Sequence, residues 1–290
     1  MNGIIVIDKP SGWTSHDVVA KLRGALRIKR IGHGGTLDPI ATGVLPVFIG
    51  RATRAAGFLE SSDKEYIAGL RLGIATDTQD ITGSSLRICD ADISPETLSG
   101  VIPRFLGAQK QIPPMYSAVK IGGRKLYELA RQGVEIDRPP RDVHIEEIEI
   151  LGGGGQEFLI RVACSKGTYI RTLCHDIGEA LGCGGVMSSL RRTRAGRFCI
   201  DDALSLDEVL AAAAAGLIAG RMMPVDTVFS AYPSITLDER DARKCKNGVP
   251  CHITGSQDGI FRFYGPDNEF ILYGEVKSGA VKVLKSFYIQ

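Results

Sequence analysis

The stretch from residue 143 to residue 165 restricts the fold of this chain more than any other. "VHIEEIEI" and "EFLIRVACS" are two strand-like runs rich in β-branched residues. Between them lie four consecutive glycines, which suit a flexible hairpin turn. The glycines could also suggest a phosphate-binding loop, but neither a GK[ST] nor a GxGxxG pattern accompanies them. We therefore predict an antiparallel strand pair joined by this turn.

Helical and strand-like patterns are mixed along the rest of the chain. Ser15 is placed to cap a helix, and "TYIRTLCHDIGEALG" at 168–182 has helical spacing of its apolar residues. "VLPVFIG" at 44–50 indicates a strand, in which Pro46 favours an edge position or a bend. This mixture of antiparallel strands and helices predicts an α+β fold.

The character of the sequence changes around "FSAYPSITLD" at 229–238. A helix-like segment, "ERDARKCKNG", is followed by short strands separated by glycines up to the last residue. We predict two domains, a larger one at 1–231 and a small β-rich one at 232–290.

Positive charge is concentrated although the formal net charge is only +2. Residues 21–30 hold five bases and no acid, and residues 191–197 hold four more bases. Such segregation can build a positive face on a nearly neutral protein, which suits a polyanionic partner. The alternative is that these runs are ordinary solvated faces.

Composition excludes several other classes. A hydrophobic content of 44% and a charged content of 23% are those of an ordinary globular protein, and no apolar run approaches a membrane helix. The first residues are too short an apolar run for a signal peptide, so we expect a cytoplasmic protein without membrane contact. The seven cysteines form no CxxC pair, so we expect neither a metal site nor a disulfide framework.

A single carboxylate, Asp38, lies within "IGHGGTLDPIATGVLP" at 31–46. An aspartate before proline is common in turns, where its carboxylate accepts a nearby backbone N–H. A functional role would need a partner that keeps the carboxylate ionised and a cleft beside it. His33, on the same loop, could line such a cleft or be an ordinary surface residue.

A second candidate cluster is "CSKGTYIRT" at 164–172, where a strand end passes through Gly167 into a helix start. Arg171 could pair with a buried carboxylate, and Tyr169 offers a flat ring and a hydroxyl. Equally, the arginine could lie on the helix surface and the tyrosine in the core. The residues alone leave both interpretations open.

Six segments together resemble the bacterial TruB-type tRNA pseudouridine synthases. The resemblance covers residues 3–195 densely and continues more loosely to the end of the chain. One such motif would be weak evidence, but six in order and in register are specific. The segments are "DKPSGWTSHDVV", "GHGGTLDPIATGVLPVFIGRATR", "DKEYIAGLRLGIATDTQD", "IPPMYSAVKIGGRKLYELAR", "CSKGTYIRTLCHDIG" and "SLRR".

The resemblance implies a pseudouridine synthase fold, with a mixed, mainly antiparallel central sheet flanked by helices and a PUA-like C-terminal domain. It also implies an RNA-clasping insertion at about 110–150. The implied activity is the isomerisation of uridine 55 in the T loop of tRNA by base flipping. No cofactor, metal or dedicated protein partner is implied, and a monomer that binds the T arm of tRNA is expected.

Site residues follow from the same resemblance. Asp38 matches the nucleophile, Arg171 the arginine paired with it, and Tyr66 the tyrosine stacked on the target base. Whether the aspartate attacks C6 of the base or C1′ of the ribose stays open. The resemblance also implies a group of residues around the substrate, in which Lys9 packs beside the loop together with Pro10. These expected substrate-binding residues are His33, Tyr169, Leu190 and Lys9.

Three alternatives stand beside this interpretation. The catalytic subunit of guide-RNA pseudouridylation particles shares the "LDP" loop, but we expect it to carry long flanking extensions. A non-catalytic RNA-binding or tRNA-folding protein could use the same scaffold, although Asp38, Tyr66 and Arg171 argue against lost catalysis. A nucleoside or glycoside hydrolase would need a second carboxylate near the first, and the Asp38 loop supplies none locally.

Overall fold

The computed structural model describes residues 1–253 and 255–288. Its helices are α1 (Ser15–Leu26), α2 (Ala56–Glu60), α3 (Pro95–Val101), α4 (Leu126–Ala130), α5 (Ile170–Ala180), α6 (Leu206–Ala214) and α7 (Glu239–Lys246). Short 3-10 helices occupy Gly50–Ala55, Ile102–Phe105, Ile200–Asp202, Ile218–Arg221 and Val225–Phe229.

Strands make up most of the remaining regular structure. They are β1 (Gly3–Lys9), β2 (Ile31–His33), β3 (Thr42–Ile49), β4 (Lys64–Leu72), β5 (Ile74–Thr76), β6 (Ser85–Ile88), β7 (Gly107–Gln111), β8 (Lys120–Ile121), β9 (Arg124–Lys125), β10 (Arg141–Gly154), β11 (Glu157–Cys164), β12 (Gly185–Ala195), β13 (Phe198–Cys199), β14 (Leu204–Ser205), β15 (Ser234–Thr236), β16 (Cys251–His252), β17 (Gly259–Tyr264), β18 (Phe270–Lys277) and β19 (Ala280–Ser286).

A central sheet runs in the order β14-β1-β3-β12-β4-β11-β10-β7, with β2 added to β3 and β13 to β12. Only the pairs β1–β14 and β3–β12 are parallel in this sheet of the described chain. The other pairs are antiparallel, so the mixed, mainly antiparallel α+β architecture expected from the sequence is confirmed.

The hairpin predicted from the tetraglycine is present as β10 and β11, which pair from Ile145 and Cys164 outward to the turn. Gly153 adopts a φ of 111°, and a Cβ there would lie 2.2 Å from the carbonyl oxygen of Glu157. Only glycine fits this close approach between the two strands. The glycine run therefore closes a hairpin and does not cradle a phosphate.

Pro46 lies inside the sheet, contrary to the expectation of an edge strand or a bend. The strand β3 is paired along its length with β1, where Val6 is opposite Pro46. On its other side β3 pairs with β12 at Thr42–Gly43 and with β2 at Val47–Ile49. The proline lies between these two partners, where no ladder bond requires its missing N–H.

The N-cap of helix α1 lies one residue earlier than predicted. Thr14, not Ser15, is the N-cap residue, and it forms a capping box with Asp17. The side chain of Ser15 is buried and turns toward the loop that carries Asp38. The predicted cap was wrong because two hydroxyl residues are adjacent and either could cap the same helix.

Apolar residues fill both sides of the central sheet. On one side α1, α5 and α6 contribute Leu22, Leu173 and Val209 to the main core. On the other side, residues of the central sheet share a second core with the C-terminal sheet, whose order is β15-β17-β18-β19-β16. In this shared core Phe229 stacks on Tyr273 with ring centroids 4.4 Å apart. The two sheets are therefore joined by a common apolar interior.

Candidate active site

The loop between β2 and β3, which carries Asp38, is fastened at several points. Ser15 donates a hydrogen bond to the carbonyl of Leu37 (3.3 Å) and accepts one from its N–H (2.8 Å). One residue after Asp38, the carbonyl of Pro39 accepts the N–H of Gly12 at 2.8 Å. The carboxylate is thus presented by a rigid backbone.

Lys9 lies beneath this loop and has no solvent-exposed surface. Its ammonium donates to the carbonyls of Trp13 (2.6 Å), Pro10 (2.8 Å) and Pro39 (3.3 Å). All three ammonium protons are therefore directed at the backbone. The side chain is buried under the loop and supports it, in line with the packing beside the loop that the resemblance implies, and a contact of Lys9 with substrate stays a prediction.

Arg171 and Asp38 form an ion pair, with Nε of the arginine 3.0 Å from Oδ2 of the carboxylate. The arginine side chain is 6% exposed, whereas 36% of the aspartate side chain is accessible. The other end of the guanidinium donates to the carbonyls of Tyr116 (2.8 Å) and Thr78 (3.3 Å). The arginine is thus held by the protein, and the carboxylate faces open space.

A second carboxylate, Asp80, approaches the same guanidinium, with Oδ2 3.7 Å from Nη1. Its other oxygen accepts hydrogen bonds from the hydroxyl of Thr78 (2.9 Å) and from the N–H (3.0 Å) and hydroxyl (2.6 Å) of Thr82. Sequence reasoning did not single out Asp80, although "TDTQDIT" showed a carboxylate between hydroxyl residues in a turn. The structure places Arg171 between two carboxylates, one buried and one open.

A cleft of about 640 Å³ opens on one side of this ion pair. Its wall includes Tyr66 on β4, Tyr169 at the start of α5 and Leu190 on β12, together with Asp38 and Arg171. The structure therefore brings five of the seven expected site residues to one cavity. A flat ring and an apolar side chain facing a carboxylate suit an aromatic base.

His33 and Asp38 both line a neighbouring hollow of about 660 Å³. This hollow also contains Tyr116, Tyr127 and Lys125. Burial is the main cause that lowers the pKa of His33, so this imidazole is neutral at neutral pH. Its expected place beside a displaced base stays a prediction.

A segment of the expected insertion covers the ion pair. Ser117 and Ala118 line both hollows, above Asp38. At the base of this segment Gln111 exchanges two hydrogen bonds with the backbone of Tyr169, at 2.9 and 3.3 Å. The insertion is therefore connected to the start of α5, next to Arg171.

Burial is the largest influence on the pKa values of Asp38 and Tyr66. Desolvation raises the pKa of Asp38, Arg171 and Lys9 oppose this, and the charge of Asp80 adds to it. Desolvation likewise raises the pKa of Tyr66, and Arg192 opposes it. Burial therefore works against ionisation of both groups, and the guanidinium of Arg171 favours the ionised form of Asp38.

The basic run at 191–197 is not a free phosphate-binding surface. Arg192 is 1% exposed, and Arg191 pairs with Asp8 at 2.7 Å. In the run at 21–30, Arg23 turns inward to the carbonyl of Ile31 at 2.7 Å, while its other four bases stay exposed. Arg192 is therefore not available to a polyanionic partner, whereas the exposed bases of the 21–30 run keep the predicted positive face accessible.

Residues 1–253 and 255–288 lack two further features. No group of three or more His, Cys, Asp or Glu side chains is arranged to hold a metal ion there. No helix in this part of the chain is long and apolar enough to cross a membrane.

The fold and the carboxylate–arginine cleft together define a pseudouridine synthase. Among solved structures, the chain resembles the one titled "Crystal Structure of a Cbf5-Nop10-Gar1 Complex". The match has a TM-score of 0.75 and 29% identity, and it covers 99% of this chain and 85% of the other. A structure titled "Structure of H/ACA RNP bound to a substrate RNA containing 2'-deoxyuridine" matches with a TM-score of 0.75 and 27% identity, over 99% of this chain and 85% of the other.

Family models and relatives specify the class further. Residues 23–170 match the TruB family pseudouridylate synthase N-terminal domain, and residues 171–230 match the tRNA pseudouridylate synthase B C-terminal domain. The chain belongs to the TruB family of pseudouridylate synthases.

Two relatives show how far the likeness extends. The tRNA pseudouridine synthase B of Clostridium kluyveri is 40% identical over 292 residues, which cover 99% of this chain and 100% of the relative. The protein of the same name from Alkaliphilus oremlandii is 55% identical over 211 residues, 73% of this chain and 71% of the relative.

Proposed function

We propose that this chain isomerises uridine 55 in the T loop of tRNA to pseudouridine, with Asp38 as the nucleophile. The observation that carries the proposal is the 3.0 Å ion pair between Arg171 and Asp38, set in a cleft that Tyr66 faces. The relatives that match this chain over most of their length are tRNA pseudouridine synthases by name.

The reaction exchanges one bond for another. The bond between C1′ of the ribose and N1 of uracil breaks, a bond between C1′ and C5 forms, the hydrogen of C5 leaves as a proton, and N1 takes up a proton. No net oxidation or reduction occurs, so the chemistry requires no redox cofactor. Asp38 forms a transient covalent bond, either to C6 of the base or to C1′ of the ribose, and is released when the product forms.

Each remaining residue of the cleft has a role that its position supports. Arg171 keeps Asp38 ionised and aimed, because its guanidinium is buried and already held by two backbone carbonyls. Tyr66 stacks on the flipped base, and base–aromatic stacking contributes about 1–3 kcal/mol. Tyr169 and Leu190 border the base, and His33 enters the space that the base leaves.

The proposed partner is the T arm of tRNA, bound by the exposed bases of α1, the insertion at about 110–150 and the small C-terminal domain at 232–290. The same proposal places the chain in the cytoplasm as a monomer without a dedicated protein partner. It is supported by the match to a tRNA-modifying relative over the full length of both chains. A single-stranded or flipped uridine is the class of substrate that the cleft suits.

Release of tritium from C5 of uridine in a tRNA transcript tests the function. Wild-type protein is expected to release about one equivalent per tRNA, because only one T-loop uridine is used. Asp38→Asn should release none while its affinity for tRNA stays within about tenfold, or 1.4 kcal/mol. Asp90→Asn, which changes an exposed carboxylate away from the cleft, is the matched control and should behave as wild type.

Two outcomes would contradict the proposal. Tritium release by Asp38→Asn would show that another group is the nucleophile. Tight tRNA binding by the wild type without any release would favour an RNA-binding or tRNA-folding protein on this scaffold.

A further inference from the structure

Arg192 is a buried cation without a carboxylate partner. It is 1% exposed and is one of the largest fully buried side chains of the described chain. In residues 1–253 and 255–288, no Asp or Glu oxygen lies within 4.0 Å of its guanidinium, although Arg171 in the same cleft has two such partners. An unpaired buried charge is costly, whereas an apolar residue of similar length would fill the same space without that cost.

Backbone carbonyls hold the guanidinium in place. Nε donates to the carbonyl of Val44 at 2.7 Å, Nη2 to that of Gly35 at 3.2 Å, and Nη1 to that of Thr36 at 3.4 Å. These carbonyls belong to β3 and to the loop that carries Asp38. A guanidinium has five N–H donors, so donors remain after these contacts.

The side chain of Arg192 is the cross-strand neighbour of Tyr66. The two residues are directly opposite each other in the β4–β12 ladder, and both line the cleft. Residues opposite each other in a ladder project to the same face of the sheet, so the positive charge of Arg192 acts on the Tyr66 hydroxyl. The guanidinium thus connects the ring that faces the substrate with the backbone on both sides of Asp38.

Charges around Tyr66 come from three elements. Arg192 approaches from β12, the thiol of Cys164 from β11, and Asp38 from its loop. Arg192 alone is positive among these three and alone lowers the pKa of Tyr66, against the upward effect of burial. The arginine is therefore placed to favour a Tyr66 hydroxyl that shares or gives up its proton.

We propose that Arg192 is a positioning residue for the isomerisation, which acts by fixing the hydroxyl of Tyr66 relative to the Asp38 loop. The effect that we expect on the reaction rate rests on the proposed function. The carbonyls of Gly35, Thr36 and Val44 anchor the guanidinium, and the guanidinium in turn orients the ring. The guanidinium is anchored by backbone carbonyls and has almost no exposed surface, so it acts through Tyr66 and not on the substrate directly.

A double-mutant cycle separates this role from a general loss of structure. Single-turnover tritium release is measured for Arg192→Met, Tyr66→Phe and the double variant, with tRNA affinity measured in parallel. Arg192→Met is expected to slow release by about 30-fold or more in the wild-type background but less than about threefold in the Tyr66→Phe background. An equal loss in both backgrounds would overturn the proposal.

Two further variants serve as controls. Arg191→Lys changes the neighbouring arginine, which pairs with Asp8 and whose side chain is 41% exposed, and should leave the rate unchanged. Arg192→Lys keeps the positive charge and should recover part of the lost rate. No recovery, together with a normal melting temperature, would contradict a role for the charge.

The ionisation of Tyr66 gives a readout that does not require activity. Near-ultraviolet absorbance is titrated, and the curve of a Tyr66→Phe protein is subtracted from that of the matching protein with Tyr66. Loss of the cation in Arg192→Met should move the Tyr66 midpoint to higher pH by about one unit or more. An unchanged midpoint would refute the Arg192–Tyr66 link, whereas a wild type without tritium release would refute the proposed function alone.

Discussion

Replacement of Asp80 by asparagine should shift the pH at which the enzyme loses activity toward lower values. Asp80 and Asp38 contact the same guanidinium of Arg171, at 3.7 and 3.0 Å. The negative charge of Asp80 helps to raise the pKa of Asp38, which burial has already raised. Asparagine keeps the size and the carbonyl oxygen of the side chain but removes this charge.

The expected shift can be worked from the geometry. Two carboxylates on either side of one guanidinium lie about 7 Å apart, and at an effective dielectric constant of about 20 they repel each other by about 2.4 kcal/mol. One pH unit corresponds to about 1.4 kcal/mol, and the exposure of Asp38 weakens the repulsion. We therefore expect the pKa of Asp38 to fall by about one unit in Asp80→Asn.

The assay is the single-turnover rate of tritium release as a function of pH. In the wild type the rate should fall on acidification with a midpoint above the ordinary aspartate value of 3.8, because protonation at a raised pKa removes the nucleophile. Asp80→Asn should move this midpoint downward, and its plateau rate should fall by about tenfold or more because Arg171 loses one anchor.

Asp77→Asn is the matched control, since Asp77 is an exposed carboxylate on the same turn and does not contact Arg171. It should leave both the midpoint and the plateau unchanged. An acid midpoint that stays in place or rises in Asp80→Asn would refute the electrostatic reasoning. A lower plateau alone, without a shift, would leave Asp80 a purely structural support of Arg171.

Three further variants and measurements probe the architecture of the site. Gly43→Ala should destabilise the protein by at least about 2 kcal/mol, because its φ is 97° and a Cβ would lie 2.2 Å from the carbonyl oxygen of Arg192; an unchanged urea midpoint would contradict this. Lys9→Met should cost about 2–3 kcal/mol of stability, since buried carbonyls lose their donor. Its tRNA affinity, measured by filter binding, should stay the same. Weaker binding at unchanged stability would show that Lys9 contacts the substrate. Cys174 should resist alkylation in the native protein at mildly alkaline pH, because burial raises the pKa of its thiol to about 12; rapid labelling seen by mass spectrometry would show that α5 opens.

Local patterns in the sequence predicted much of the fold. Strand-like runs on either side of the tetraglycine identified the β10–β11 hairpin, and helical spacing at 168–182 identified α5. Both depend on neighbours along the chain, which a sequence displays directly. The position of Pro46 was wrong because it depends on a change of partner strand, from β12 to β2, that no local pattern encodes.

The site was predictable where a residue's role follows from its own motif. Asp38, Tyr66 and Arg171 meet as the family resemblance implies. Arg192 was misjudged because an arginine in sequence is usually exposed, whereas this one is satisfied by backbone carbonyls. Only the folded loop reveals such acceptors.

The shared core of Phe229, Tyr273 and their neighbours fixes the position of the C-terminal sheet relative to the cleft. Because the two sheets are joined by packed side chains and not by a linker alone, the distance between the cleft and the C-terminal sheet is constant. The cleft and the C-terminal sheet therefore keep one fixed separation. Under the proposed function, an RNA that contacts both the cleft and the C-terminal sheet must present its two contact points at this one spacing.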